Sequence, residues 1–97
     1  MLTTEKIAQA VRPLAVKYNI IQVDLFGSYA TGNATEDSDV DVLVKFDIPV
    51  PSIFAVMGFR EELSNRLSHP VDIVTLPITR PDIIKIDKVV NIYERAR

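Results

Sequence analysis

Two aspartates that stand one residue apart in an apolar run are the residues of this sequence best suited to chemistry. Asp39 and Asp41 lie in the segment "DVDVLVKF", whose alternating apolar and polar residues predict a β-strand. Residues i and i+2 of a strand point to the same face, so the two carboxylates should project side by side. Carboxylates that close repel each other unless a proton or a cation lies between them. Mg²⁺ takes one or two such ligands and fills its remaining positions with waters and phosphate oxygens. The pair therefore predicts a magnesium site.

Two other segments extend this predicted site. Asp72 lies in "VDIV", the next predicted strand, and brings a third carboxylate to the same sheet edge if the two strands are neighbours. Gly27 and Ser28 end the preceding strand, "IIQVDLF", and ten residues separate Ser28 from Asp39. Glycine lets a backbone approach a phosphate closely, while backbone N–H groups and a hydroxyl supply donors. Such residues suit in-line phosphoryl or nucleotidyl transfer, in which two metal ions lie about 3.5–4 Å apart.

Each signal alone has an ordinary structural explanation. A Gly-Ser pair is usually only a turn, a D-x-D segment is usually a hydrogen-bonded loop end, and Asp72 alone suits an edge strand. Tyr29 either packs in the turn or contacts a nucleotide. The combination on consecutive strands of one small domain is what favours a functional site.

The elements that position these residues alternate between helical and strand periodicity. The predicted order is α-β-(loop)-β-α-β-α, which describes a small α/β (α+β) domain whose sheet is flanked by helices. The first helix covers residues 4–18, with Thr3 or Thr4 as N-cap, and Pro13 should kink or divide it. Its inward stripe is Ile7, Val11, Leu14 and Tyr18.

Two more helices are predicted after the carboxylate pair. The second covers residues 51–67, and Gly58 inside it indicates close packing, since glycine costs about 1 kcal/mol there relative to alanine. Its expected inward stripe is Ile53, Val56, Arg60, Leu63 and Leu67, widened by Phe54, Met57 and Phe59. The last helix begins with Thr79 as cap and Pro81 in its first turn. Its expected inward stripe is Ile83, Ile86, Val90 and Tyr93.

Composition limits the classes of function. The chain has 97 residues, no cysteine and a single histidine, His69. We therefore expect one domain over residues 1–97 and neither thiolate nor multi-histidine metal sites. A net charge of −2 offers no broad basic face for extended nucleic-acid binding. No stretch approaches the roughly 20 apolar residues of a membrane span, and no signal peptide begins the chain, so a cytoplasmic location is expected.

The segment "FGSYATGNATEDSDVDVLV" resembles the signature of the DNA polymerase β-type nucleotidyltransferase superfamily, and most closely its minimal nucleotidyltransferase (MNT) family. The resemblance implies a mixed β-sheet flanked by helices, ATP as nucleotide donor and two Mg²⁺ ions. The implied nucleotide-binding residues are Gly27, Ser28 and Tyr29, and the implied catalytic and metal-binding residues are Asp39, Asp41 and Asp72. The chain departs from many relatives at Thr31, where they carry arginine, which pairs bidentately with phosphate.

Minimal members of this family are often antitoxins of HEPN/MNT toxin–antitoxin pairs. The resemblance therefore implies an ATP:protein adenylyltransferase that transfers AMP to a tyrosine hydroxyl of a HEPN-domain ribonuclease toxin in a heteromeric complex. Two alternatives stay open. The domain could mask the toxin by binding without chemistry, or it could be a nucleotidyltransferase that acts on a small molecule.

Overall fold

The computed structural model describes residues 2–75 and 88–95. Within these residues three helices and four strands follow one another along the chain. They are α1 Thr4–Lys17, β1 Ile20–Phe26, α2 Ser28–Thr31, β2 Val40–Phe46, α3 Ile53–Leu67, β3 Val71–Thr75 and β4 Val90–Glu94. Across the same residues, no helix has the length and apolar character needed to cross a membrane.

The four strands form one mixed sheet in the order β3-β2-β1-β4. β1 pairs antiparallel with β2 on one side and with β4 on the other, while β2 and β3 are parallel. The parallel pair is connected through α3, as parallel neighbours require a crossover. This topology places β2, which carries Asp41, between β1 and β3.

The core lies between one face of the sheet and the two long helices. On β2 the alternate residues Val40, Val42 and Val44 are fully buried, as the alternation predicted. They pack in one cluster with residues of α1 and α3. Because side chains alternate across a strand, Asp41 and Leu43 point to the other face.

Helix α1 is a single continuous helix, so the prediction that Pro13 divides it is wrong. A proline ring leaves the carbonyl four residues before it without its helical hydrogen bond. That carbonyl belongs to Gln9, and both Gln9 and Pro13 are exposed, so water can hydrogen-bond to the carbonyl. At the start of the helix the Thr3 hydroxyl accepts a hydrogen bond from the Lys6 N–H at 3.1 Å, which confirms Thr3 as N-cap.

Helix α3 buries a narrower stripe than the sequence predicted. Phe59, Leu63 and Leu67 are buried, but three apolar residues expected on the inward side are largely exposed. The exposed residues are Ile53 at 63%, Phe54 at 83% and Met57 at 50%. Only the second half of α3 buries side chains fully, which leaves the apolar side chains of its first turns open to solvent. Arg60, also expected inward, is exposed.

The prediction of a last helix is wrong at its C-terminal end, where Val90–Glu94 form a strand. Val90 and Tyr93, assigned to its inward stripe, lie instead on β4, which pairs antiparallel with β1. The segment "VNIYE" is rich in β-branched and aromatic residues, which suit a strand, and the edge of β1 provides a partner for it. The start of the predicted helix, with Thr79, Pro81, Ile83 and Ile86, lies outside the described residues.

Gly58 supports the contact between the two long helices, as its position indicated. The Tyr18 hydroxyl at the end of α1 donates a hydrogen bond to Glu62 on α3, and Lys17 donates to the same carboxylate at 2.8 Å. A Cβ atom at position 58 would lie 2.8 Å from the Tyr18 hydroxyl oxygen. Glycine is therefore needed because the tyrosine occupies the space of a side chain.

We expect Gly58→Ala to lower the free energy of unfolding, although alanine is favoured over glycine in a helix by about 1 kcal/mol. The new methyl group would displace Tyr18 and weaken its hydrogen bond to Glu62. Urea unfolding of Gly58→Ala, Tyr18→Phe and the double variant measures this coupling. In the Tyr18→Phe background the nearest remaining ring atoms would lie at 3.3 Å, so alanine should be better tolerated there. Equal effects of alanine in both backgrounds would contradict the proposed clash.

Candidate active site

The register of the sheet brings the predicted site residues together around Asp41. Asp41 pairs with Phe26, the last residue of β1, across the antiparallel ladder. On its other side it pairs with Asp72 across the parallel ladder. Neighbouring strands lie about 4.8 Å apart, and paired residues share a face, so the carboxylates of Asp41 and Asp72 are adjacent. The register therefore brings two of the three predicted carboxylates, those of Asp41 and Asp72, side by side.

The chain before β2 is ordered by a compact turn that presents Asp39. The Ser38 hydroxyl accepts a hydrogen bond from the Thr35 N–H at 2.8 Å, and the Ser38 N–H donates to the Thr35 carbonyl at 3.1 Å. The Val40 N–H donates to the Pro70 carbonyl at 2.9 Å, which joins the start of β2 to the start of β3. Asp39 lies just before this connection and is exposed.

Gly27 is required by both its backbone and its neighbour. Its φ of 71° lies in the region that favours glycine, and a Cβ atom there would overlap the carboxylate of Asp41. It is also the N-cap of α2, a four-residue helix that begins at Ser28. The first N–H groups of a helix have no helical acceptor, so those of Ser28 and Tyr29 remain free for other acceptors. The structure thus places a Gly-Ser backbone directly beside Asp41.

Burial and neighbouring charge disfavour ionised Asp41. Its half-buried position raises the pKa of its carboxyl above the ordinary value of 3.8, and the charges of Asp72 and Asp39 raise it further. The role of these three carboxylates as metal ligands stays a prediction. A cation bound among them would remove the cost of ionising Asp41.

The donor set fits a divalent cation that brings further ligands with it. Carboxylate oxygens suit Mg²⁺, and Asp39 and Asp41 supply the one or two that this ion takes from a protein. In residues 2–75 and 88–95, no three acidic, histidine or cysteine side chains form a group that could hold a metal ion by themselves. The remaining positions of a bound Mg²⁺ would have to come from water and from the phosphate oxygens of a nucleotide.

Tyr29 packs against the core, the first of the two alternatives that its sequence position left open. Its ring contacts the buried cluster, and its hydroxyl is buried without a hydrogen-bond partner among the described residues. A contact between this hydroxyl and a nucleotide therefore stays a prediction.

Thr31 stands where many relatives carry arginine, and its side chain hydrogen-bonds to the backbone of its own turn. The Thr31 hydroxyl lies 3.3 Å from the Gly27 carbonyl oxygen, to which it donates. Lys45 and Arg60 are the two cations that could replace the arginine. Lys45 is four residues beyond Asp41 on β2, toward the far end of the sheet. Arg60 lines a groove together with Asp72, on the β3 side of Asp41 and away from the Gly27 turn.

Sequence reasoning missed a polar network on the same face of the sheet. Asp24 on β1 is 7% exposed and is the one buried charged residue in the described part of the chain. It accepts hydrogen bonds from the Gln22 amide at 2.7 Å and the Asn91 amide at 2.8 Å. Its sequence signal was a polar residue at an alternating strand position, which does not distinguish a buried aspartate from a solvated one.

A model of the nucleotidyltransferase domain matches residues 5–96 of this chain. The chain belongs to the nucleotidyltransferase domain family. The chain is also 35% identical over 89 residues to the protein adenylyltransferase MntA of Thermococcus cleftensis, a match that covers 88% of this chain and 89% of that protein. The predicted membership of a nucleotidyltransferase family is thereby confirmed.

Solved structures with this nucleotidyltransferase fold include antitoxin complexes. A toxin–antitoxin structure with AMP-PNP matches with a TM-score of 0.75 at 20% identity, covering 91% of this chain and 73% of that chain. A structure of the tri-AMPylated Shewanella oneidensis HEPN toxin with its MNT antitoxin matches with a TM-score of 0.70 at 16% identity, covering 96% and 74%. These likenesses confirm the predicted mixed sheet with flanking helices.

We expect Asp41→Asn to raise the free energy of unfolding of this nucleotidyltransferase domain at neutral pH in the absence of metal. Because the pKa of Asp41 is raised in the folded state, stability falls as pH rises from 3.8 through the folded pKa. The gain from asparagine should therefore be complete above the folded pKa and vanish below 3.8, where both states are protonated. Urea unfolding in EDTA across this pH range measures it. Asp37→Asn, on the exposed preceding loop, is the matched control, and an equal gain there would contradict a local cause.

We expect Tyr29→Phe to stabilise the domain, because a buried hydroxyl without a partner costs about 1–3 kcal/mol. Tyr18→Phe is the control, since its hydroxyl donates to Glu62 and its removal should destabilise. Denaturant unfolding of both variants gives the comparison. A Tyr29→Phe protein that is less stable, or that binds ATP more weakly, would instead assign the hydroxyl a partner in the working site.

Proposed function

We propose that the protein is an antitoxin that transfers AMP from ATP to a tyrosine hydroxyl of a HEPN-domain ribonuclease toxin. The observation that carries the proposal is the position of Asp41, which pairs in register with Asp72 on one side and lies against the Gly27 backbone on the other. The chain holds this arrangement within a family of nucleotidyltransferases and is 35% identical to a protein adenylyltransferase.

The residues divide into two sides around Asp41. On the β1 side, the Gly27 backbone and the Ser28 hydroxyl would hold the triphosphate, with Tyr29 at the same turn. On the β3 side, Asp72 is exposed and can be reached by an acceptor hydroxyl. Asp39 and Asp41 would hold two Mg²⁺ ions, which would neutralise phosphate charge and lower the pKa of the acceptor hydroxyl.

The reaction balances with these groups. The tyrosine oxygen attacks the α-phosphorus of ATP, the bond from that phosphorus to the oxygen bridging to the β-phosphate breaks, and pyrophosphate leaves. The hydroxyl proton passes to the Asp72 carboxylate and then to water. A loose phosphoryl-transfer transition state needs positioning and charge stabilisation more than covalent chemistry, which is what a rigid sheet edge provides.

A large acceptor can approach the site because two of its three carboxylates are exposed. Asp72 lies on β3, an edge strand of the described sheet, and Asp39 lies just before β2. Proteins related to this chain in sequence or fold include an adenylyltransferase and the antitoxin of an AMPylated toxin. Both features support a protein acceptor.

Masking of the toxin by binding alone is the second candidate. It is favoured by the exposed apolar side chains at the start of α3, of which Phe54 is 83% and Ile53 63% exposed. Such side chains suit a lasting protein interface. Binding and chemistry can coexist, so the experiment must separate them.

We expect Asp41→Asn to lose transfer while keeping the partner-binding surface. Loss of a metal ligand at a two-metal site removes several kcal/mol of transition-state stabilisation, which lowers the rate on the order of a thousandfold. The measurement is transfer of label from α-labelled ATP with Mg²⁺ to a HEPN-domain partner, together with protection of cells from that partner. Asp37→Asn makes the same chemical change outside the site and should retain full transfer.

Separation of the two proteins after the reaction distinguishes enzyme from mask. A partner carrying AMP should stay inactive once the antitoxin is removed. Full protection by Asp41→Asn, or return of ribonuclease activity on separation, would reject the enzyme in favour of the mask.

A further inference from the structure

Exposed apolar side chains are concentrated where the chain enters α3. Of the seven large apolar side chains that are exposed in residues 2–75 and 88–95, five fall within ten consecutive residues. They are Ile48, Val50, Ile53, Phe54 and Met57, and we call them the α3 patch. No lysine, arginine, aspartate or glutamate occurs from residue 48 to residue 58. The patch therefore has the composition of the centre of a protein interface, where charged residues are depleted.

The five side chains of the patch adjoin one another. On α3, Ile53 and Met57 are four residues apart and Phe54 and Met57 are three apart, so these side chains are neighbours on the helix surface. Ile48 and Val50 lie on the connection that leads from β2 into the first turn of α3. Val50 is 84% and Phe54 83% exposed, so the folded chain itself leaves the patch in water.

The patch lies at the end of the sheet opposite to the carboxylates. Asp41 is the second residue of β2, and Ile48 follows the last residue of that strand, Phe46, by two positions. The strand rises about 17 Å from Asp41 to Phe46. A molecule bound at the patch therefore leaves the proposed active site open.

The outward face of α3 suits a pair of identical, antiparallel helices. In such a pair, a residue a given number of positions before the two-fold axis faces the residue the same number after it in the second copy. With the axis at Met57, Phe54 faces Arg60 of the second copy and Ile53 faces Glu61 of the second copy. These five residues are separated by three, four, seven or eight positions across the axis or are adjacent, so they share one face of the helix.

The charged residues of this face suit a contact between identical copies. Arg60 and Glu61 are both exposed, and in residues 2–75 and 88–95 neither forms an ion pair. Since they have opposite signs, two copies of the face carry no net charge that would repel. An arginine guanidinium placed over the ring of Phe54 also adds a cation–π attraction.

The patch has the size of the centre of a small interface. A fully exposed apolar side chain of this kind presents roughly 60–120 Å² of surface, which gives roughly 200–400 Å² for the patch. One side of a standard interface buries about 800 Å², of which about 65% is apolar in a homodimer. The patch supplies about half of that apolar area, which is enough for a reversible dimer rather than a permanent one.

We propose that two copies of this chain form a homodimer through the α3 patch, with their α3 helices antiparallel and Met57 at the two-fold axis. A partner of different sequence would need an apolar patch of matching shape, whereas a second copy brings one. Both proposed active sites remain at the outer ends of the dimer. The dimer does not depend on the proposed function.

Sedimentation velocity of the wild-type protein from about 1 μM to 1 mM tests the proposal, and we expect a reversible dimer with a Kd in the micromolar range. Met57→Glu and Met57→Lys each place two like charges at the axis and should raise the Kd about tenfold or more. An equal mixture of the two variants should regain a dimer, because opposite charges then meet.

Two further variants sharpen the test. Phe54→Ala should also weaken the dimer about tenfold, since a large aromatic side chain is removed from the interface. Val89→Glu is the matched control and should leave the Kd unchanged. Val89 is an exposed apolar residue just before β4, at the end of the sheet where Asp41 lies. The melting temperature of each variant verifies that it is folded.

A wild-type protein that stays monomeric up to about 1 mM would overturn the proposal. A dimer that Met57→Glu and Phe54→Ala leave unchanged would place the interface elsewhere and overturn it as well. Failure of the mixed variants to associate would reject the two-fold axis at Met57. A monomeric wild-type protein whose complex with a HEPN-domain partner is weakened by Met57→Glu would assign the patch to that partner instead.

Discussion

The cost of ionising Asp41 is the constraint on which the arrangement of this site depends. Its carboxylate is half-buried and adjacent in register to Asp72, while its other flank is closed by the Gly27 backbone. Within the described residues no side chain or backbone N–H donates a hydrogen bond to it, although its pKa is raised by burial and by like charge. A folded protein keeps such a group only where packing of the surrounding sheet outweighs its cost. The buried valines of β2, on the other face of the same strand, supply that packing.

Asp24 is a carboxylate on the same sheet whose hydrogen-bond donors are supplied by the chain itself. It is more buried than Asp41 and points to the same face, but two amide groups donate hydrogen bonds to it. A carboxylate that accepts hydrogen bonds from its own sheet stabilises a strand pair, whereas a carboxylate without such donors can still bind a ligand. The contrast separates a structural aspartate from a functional one more clearly than burial does.

Periodicity predicted the parts of the fold whose pattern is set by a single buried face. The alternation of Val40, Val42 and Val44 and the helical stripe of Ile7 and Val11 are confirmed because packing selects those faces alone. The prediction from periodicity failed where the pairing of strands, or the position of a residue along its helix, determined the structure. Val90 and Tyr93 fit a helical spacing of three, but β1 offers an edge to pair with, and the strand forms. Phe54 and Met57 fit an apolar stripe, yet they lie on the first turns of α3, where no side chain is fully buried.

The proposed site offers an incomplete set of ligands for a metal ion and an incomplete set of donors for phosphate. Thr31 supplies no charge where an arginine would pair with phosphate, and its hydroxyl bonds to the Gly27 carbonyl instead. In the described residues the carboxylates do not form a complete metal cage either. In the proposed function each ligand would supply what the other lacks, since phosphate oxygens would complete the coordination of Mg²⁺ and Mg²⁺ would neutralise the phosphates. Under that proposal metal and nucleotide should bind as a pair, each raising the affinity of the other, and both would depend on the charge of Asp41.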